Sequence, residues 1–439
     1  PFNLHINFDK ALMPRRKSSK RAAPRGIEQL PSGPVVNPLS PISILSEDDV
    51  ASLHTASLEV LRKHGMRFSL PKARNILKEA GADVSESDAM VRFDPDLVME
   101  YVAKAPASFT LHARNPVHDL HLDNRHINFS CVSSAPHTTD TLNGRRGGNR
   151  QDFENFLKLT QMVNVAHGTA GYPVEPIDID VPVRHLHATR ATVTLTDKTF
   201  RLYNHNRQRT LDVLEMARIV HGLSAEAFQE TPCVFASINP NSPREYDESM
   251  LWGMIECALA GQVLMISPFI LAGAMAPSSL AGALTQQNAE ALAGIAFCQM
   301  VRAGTPVAYG GFVSNADMKS GAPAFGTPEH VKTTLVIGQM ARHYGLPYRA
   351  ANANASNAVD AQAAYESQMC LWACLVSGAT YVYHGLGWLE GGLSASIEKF
   401  IVDAEMIQGL IEVIRPIDFS AEELAVDTIG EIPPGGHFF

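Results

Sequence analysis

Several short apolar segments of this 439-residue chain end in side chains suited to hold a small organic cation and a carboxylate. Tyr203-Asn204-His205-Asn206 follows one segment, Asn239 closes another, and Tyr309 and Phe312 flank a Gly-Gly pair. Asn352-Ala353-Asn354-Ala355-Ser356 ends a further segment, and Tyr383-His384-Gly385-Leu386-Gly387-Trp388-Leu389-Glu390 ends the last. Aromatic faces attract the diffuse charge of a quaternary ammonium, which makes Tyr203, Tyr309, Phe312, Tyr383 and Trp388 candidate cage residues. His205 and His384 are candidates for acid/base work, metal ligation or orientation of a carboxylate. Asn239, Asn352, Asn354 and Glu390 add hydrogen-bonding groups and a charge. Taken singly, such aromatics more often pack beneath a loop and such histidines more often serve structure. Their recurrence at the ends of apolar segments is what marks a site.

The elements that would position them alternate along the chain. Strands are expected at 127–131, 166–171, 200–204, 234–239, 263–268, 307–312, 348–352 and 380–384. Helices are expected near 152–162, 185–195, 210–223, 244–259, 287–303, 329–344, 361–376 and 394–414. Strict alternation implies a parallel sheet, and eight units over this length predict an α/β chain closed as a (β/α)8 TIM barrel. Its active site is expected at the C-terminal strand ends, where the residues above fall. An open doubly wound sheet is the alternative, but no Gly-rich dinucleotide turn follows the first strand.

Ahead of the barrel, Ser46-Glu47-Asp48-Asp49, Pro71 and Pro95 each open a helix, and Gly81 closes the second. The expected organisation is an extended basic arm at 1–41, a helical cap region at 42–126, the barrel at 127–415 and a C-terminal extension at 416–439. The arm holds Lys10, Arg15, Arg16, Lys17, Lys20, Arg21 and Arg25 with no apolar run after them, unlike a secretory signal. A net charge of −9 argues against nucleic-acid binding. Glu256, Gln262 and Pro268 interrupt the most apolar stretch, which argues against a membrane span. Six scattered cysteines without a CxxC spacing suggest neither disulfides nor zinc, and a reducing compartment, the cytoplasm, is expected.

Four stretches together resemble the trimethylamine methyltransferase family, which includes glycine betaine methyltransferases. They are Asn239–Pro243; Gly273–Pro277 with Leu280–Gly282 and Asn288–Glu290; Gly304–Gly310 with Asp317-Met318; and Tyr344–Pro347 with Asp360–Gln362. The resemblance covers nearly the whole chain. It implies a (β/α)8 methyltransferase that passes a methyl group from a small quaternary or tertiary methylamine to the cobalt of a corrinoid (cobalamin) carried by a partner protein, with no tightly bound metal of its own. The arm and the habit of the family together imply a homo-oligomer. Relatives continue past Phe439, so a C-terminal segment is expected to be missing.

Family members that use trimethylamine carry pyrrolysine after the seventh strand, and counting back from Asp360 places Ala353 at that position or within one residue of it. Without that side chain, a substrate that is already cationic is preferred: a quaternary ammonium such as glycine betaine loses a methyl with a neutral amine as leaving group. The aromatic residues would then hold the ammonium, and His205, His384 and the Asn residues the carboxylate. Two other functions remain open. One is a metal-assisted barrel hydrolase built on His185, His187, His205 and His384, although His185-Leu-His187 falls where a helix begins. The other is a non-catalytic betaine-binding protein.

Overall fold

The computed structural model describes residues 28–438. Eight parallel strands close into a barrel: β1 His126–Cys131, β2 Gly168–Thr169, β3 Thr199–Arg201, β4 Val234–Ile238, β5 Val263–Ile266, β6 Val307–Gly310, β7 Tyr348–Ala351 and β8 Tyr381–Leu386. The register Tyr381↔Asn128 joins β8 to β1 and completes the ring. All eight expected strand segments are present, in the expected order.

The helices between them are α1 Arg150–Met162, α2 Val181–Leu195, α3 Arg207–Val220, α4 Glu248–Leu259, α5 Leu280–Val301, α6 Pro328–His343, α7 Ala361–Val376 and α8 Ile397–Ile414. Asn149, Asn206, Asp247, Ser279, Asp360 and Ser396 start six of them, each accepting from a backbone N–H in the first turn. The other two, α2 and α6, carry Pro182 and Pro328 there instead. Caps explain where the expected boundaries shift. Ser279 starts α5 seven residues before the expected 287, and Asp247 delays α4 because Glu245–Tyr246 is a strand.

Helix α5 is buried on every face because two layers cover it. The barrel lies on one side, and the helices Glu47–Lys63, Pro71–Glu79 and Pro95–Val102 pack on the other. These are the helices expected from Ser46, Pro71 and Pro95. Unforeseen are the strands Met66–Phe68, Asp83–Ser85 and Met90–Arg92, which form a small sheet with Glu245–Tyr246. This region sits on the flank of the barrel. Of the expected arm, Val35–Val36 pairs antiparallel with the start of β1, at the end of the barrel away from the strand C-termini. The basic residues from Lys10 to Arg25 lie outside the described residues.

Two small sheets crown the C-terminal strand ends. One joins Phe269–Ala272, Phe312–Ala316 and Pro323–Ala324. The other joins His137–Asp140, Gly144–Gly147, Trp388–Leu389 and Ser394–Ser396. The latter moves the start of α8 from the expected 394 to Ile397. Among the described residues no helix is long and apolar enough to cross a membrane.

Candidate functional site

Side chains alternate along a strand, and register partners share a face. Phe235, Tyr381 and Tyr383 meet within the barrel, with ring centroids 5.4 and 6.4 Å from Phe235. By register, Arg201 pairs with Phe235, and Arg349 with Tyr381, so both arginines share that inner face. Tyr383 lies between them. The Arg349 guanidinium stands 4.1 Å over its ring, and Arg201 Nη1 donates to its hydroxyl at 3.1 Å. Arg349 Nη1 also donates to Ser267 Oγ at 3.0 Å. The Nε atoms of both arginines are buried and lack a partner, and no carboxylate pairs with either among the described residues. Burial, with a smaller contribution from the like charge of Arg201, pushes the Arg349 guanidinium down to about 10. A buried cation without a counter-charge is costly, and an arriving anion would relieve the cost.

His384 extends this positive region. Its Nδ1 accepts the Ser133 N–H at 3.1 Å, so in the neutral ring Nε2 carries the proton. Burial, reinforced by Arg349 and Arg201, holds its pKa well below the usual imidazole value. Its backbone is left-handed (φ 56°), a costly conformation for a non-glycine residue and one that clusters at functional sites.

An aromatic wall adjoins His384. Phe312 stacks on Phe325 at 4.6 Å, Trp388 meets Phe312 edge-on at 6.0 Å, and the Trp388 ring lies 4.1 Å from His384. His330 backs the wall, 5.3 Å from Phe312, with Nδ1 bonded to the Val313 carbonyl. A second pair, Tyr172 stacked on Tyr203 at 4.7 Å with His205 at 4.4 Å from Tyr203, lines a recess of about 100 Å³ together with Gly171, Glu175 and Arg201. Gly171 is required there. Its φ is +121°, and a Cβ would lie 2.9 Å from Ser133 Oγ and 3.2 Å from Arg201. A larger cavity of about 390 Å³ lies at the opposite end, between residues 30–38 and the end of α8. Barrel chemistry belongs to the strand C-termini, where the smaller recess lies; Arg201 lines it, whereas Arg349, His384, Phe312 and Trp388 do not.

The sequence-expected residues divide accordingly. Tyr203, His205, Phe312, Tyr383, His384 and Trp388 come together at the mouth. Asn352 Nδ2 donates to the Gly385 carbonyl at 3.1 Å while its buried Oδ1 has no partner. Asn354 bonds Trp388, and Asn239 Nδ2 donates to the Ser267 carbonyl beside Arg349. Ala353 is fully buried, its carbonyl accepting from Cys370 Sγ at 3.1 Å. Glu390 is held by Arg145 at 2.7 Å rather than free for a ligand. Tyr309 does not reach the mouth. It points outward between strand and helix, where its hydroxyl donates to Asn288 Oδ1 at 2.8 Å and its ring meets Tyr344. The histidines of the hydrolase reading are not gathered: His185 bonds Asp212 at 2.8 Å, and His187 is exposed on α2. Among the described residues no group of three or more His, Cys, Asp or Glu side chains is spaced for a metal ion. Sequence reasoning missed Arg201, Arg349 and Phe325. The available signal was Arg349 within the apolar run Tyr348–Ala351, an inward position once register is known.

Fold and site together define a TIM-barrel protein whose strand C-termini gather two arginines, a neutral histidine and several aromatic rings. The profile of the trimethylamine methyltransferase family matches residues 13–439, and the chain belongs to that family. It is 36% identical over 397 residues to the glycine betaine methyltransferase of Desulfitobacterium hafniense strain Y51, covering 90% of this chain and 82% of that one. It is 28% identical over 395 residues to the trimethylamine methyltransferase MttB of Desulfitobacterium hafniense strain DCB-2, covering 90% and 79%. The crystal structure of the monomethylamine methyltransferase MtmB of Methanosarcina barkeri shares the fold, with a TM-score of 0.55 at 9% identity over 87% of this chain and 84% of that one.

The resemblance rested largely on scaffold. Ser242 Oγ and the Arg244 N–H both bond Glu290, tying the Asn239–Pro243 stretch to Asn288–Glu290 on the flank. These two stretches therefore hold α5 in place, away from the mouth.

Proposed function

We propose that this protein is a methyltransferase for a betaine, a quaternary ammonium that also bears a carboxylate. The observation that carries this reading is two guanidiniums without a counter-charge, Arg349 buried and Arg201 partly buried, beside an aromatic wall. Arg201, Arg349 and the Nε2–H of His384 take the carboxylate, and Phe312 and Trp388 face the ammonium. The relative named glycine betaine methyltransferase supports the same choice. So does Ala353: no residue of this chain is pyrrolysine, and a quaternary amine needs no activation.

The reaction moves CH3 as a cation equivalent. The acceptor's electron pair forms the new bond to carbon, the C–N pair stays on nitrogen, and glycine betaine leaves as dimethylglycine. No proton has to move, which agrees with neutral His384 acting as a donor to the carboxylate rather than as an acid. The protein's task is to orient one N-methyl outward and exclude water. The acceptor is the cobalt of a corrinoid. The recess beside Arg201, lined by Tyr172, Tyr203 and His205 and of about 100 Å³, is too small for a corrin ring, so the corrinoid comes on a partner protein that docks at the mouth. We place the reaction in the cytoplasm, in keeping with six free cysteines. Exposed Ile417, Phe419, Val426 and Ile429 fit a homo-oligomer.

Calorimetric titration with glycine betaine, choline, tetramethylammonium and trimethylamine tests the reading. Glycine betaine binds tightest and choline, which lacks the carboxylate, much more weakly. Equal affinity for betaine and choline would overturn it.

A further inference from the structure

Behind β8, Lys399 and Asp403 form an ion pair one turn apart on α8, and neither side chain has any exposed surface. A buried ion pair contributes little to stability compared with apolar residues of the same size, so its partners are informative. Asp403 Oδ2 accepts the N–H of Gly387, the residue before Trp388, at 2.8 Å. Lys399 Nζ donates to Ser367 Oγ at 2.9 Å, and Ser367 Oγ also accepts from Asn354 Nδ2 at 3.2 Å. The same Asn354 amide donates to the Trp388 carbonyl at 2.7 Å, and the Asn354 carbonyl accepts the indole N–H at 3.2 Å. Trp388 is thus pinned at the residue before it, at its carbonyl and at its ring nitrogen, and all three tethers lead back to the ion pair. Close approach adds to this: a Cβ at Gly392 would lie 2.6 Å from the indole.

We infer that Lys399 and Asp403 are positioning residues, acting through Ser367, Asn354 and Gly387 to fix Trp388 as the wall that faces the substrate ammonium. The inference rests on the proposed betaine reading only for what the wall faces. The tethering of Trp388 by these hydrogen bonds is a property of the fold itself. Although the buried Asn354 Oδ1 has no partner, a hydrogen-bond network of this kind below a binding surface restrains that surface before the ligand arrives.

The test uses the full chain labelled with 5-fluorotryptophan. It contains three tryptophans, and Trp388→Phe assigns the Trp388 fluorine resonance. Ser367→Ala removes the bridge and with it one hydrogen bond of Lys399, but leaves both charges of the ion pair in place, and Asp403→Asn weakens the pair itself. In each folded variant the Trp388 resonance shifts or broadens while those of Trp252 and Trp372 stay in place. Glycine betaine affinity falls by a factor of about five in Ser367→Ala, the worth of one modest hydrogen bond. The loss is specific to the wall, so Ser367→Ala adds nothing further in a Trp388→Ala background. Asp403→Asn is read only if it folds; Ser367→Ala carries the test in either case. An unmoved Trp388 resonance, or full additivity of Ser367→Ala with Trp388→Ala, overturns the inference. A resonance that moves in protein that binds no betaine supports the positioning role and overturns the proposed function instead.

Discussion

Replacing Arg349 with Met separates the cost of this residue from its use. In the free protein the guanidinium is buried, its Nε has no partner, and its pKa is pushed down from the usual guanidinium range to about 10. That depression withholds about 3 kcal/mol from the charged form. Methionine is unbranched, uncharged and adaptable, so the variant recovers most of this amount. Against it stand the lost hydrogen bond to Ser267 Oγ, about 1 kcal/mol, and the lost stacking on Tyr383, about 1 kcal/mol. Ligand-free R349M is therefore expected to be as stable as the wild type or about 1 kcal/mol more stable. Binding moves the other way. Removing one partner of a buried carboxylate costs about 2–5 kcal/mol, a loss of roughly thirtyfold to several thousandfold in betaine affinity. Tetramethylammonium has no carboxylate and binds the variant at least as well as the wild type. Thermal unfolding without ligand and calorimetric titration with both ligands measure the two effects. Betaine affinity within threefold of wild type would refute the reasoning.

Trp388→Ala is expected to weaken glycine betaine and tetramethylammonium equally, by about 0.5–2 kcal/mol, because the ring faces the ammonium alone; titration with both shows whether the losses match. Tyr309→Phe leaves Asn288 Oδ1 without its donor and costs about 1–2 kcal/mol in denaturant unfolding, with betaine affinity unchanged. Acid sensitivity follows from the buried imidazoles. Burial holds His167 near 3, His330 near 4 and His384 well below the usual 6.5, so the folded state keeps all three neutral. The unfolded chain takes up protons near pH 6.5, so their contribution is complete above that value and is lost as pH falls towards the folded values. Each neutral imidazole removes about 1.4 kcal/mol of stability per pH unit in that window. Unfolding midpoints at pH 7.5, 6.0 and 5.0 should fall steadily, and a flat profile would contradict the burial of these rings.

The barrel was legible because its signals are local. Eight apolar segments alternating with capped helices needed no knowledge of what packs where, and the caps at Asn149, Asp360 and Ser396 are visible in the residues. The site was only partly legible. His384, Trp388 and Phe312 stood at strand ends, where a barrel puts its chemistry. Tyr309 also lies near a strand end, yet parity on β6 turns it outward to Asn288. Arg349 sits inside a strand, and only the register Gly310↔Arg349 and Arg349↔Tyr381 reveals that it faces Arg201 across Tyr383. The ion pair behind Trp388 was out of reach for the same reason. Its partners lie on α7, α8 and the β7–α7 loop, and no sequence spacing brings those together. The small strands of Met66–Phe68 and Met90–Arg92 were missed because three residues are too few to display a period.

The most direct measurement supplies the protein with reduced cobalamin, or with its corrinoid protein, and follows dimethylglycine formed from glycine betaine beside dimethylamine formed from trimethylamine. Catalytic release of dimethylglycine, with trimethylamine left intact and release at limiting betaine reduced at least thirtyfold by R349M, is the expected result. Betaine that binds without losing a methyl would reduce the protein to a binder, and preferential demethylation of trimethylamine would contradict the account.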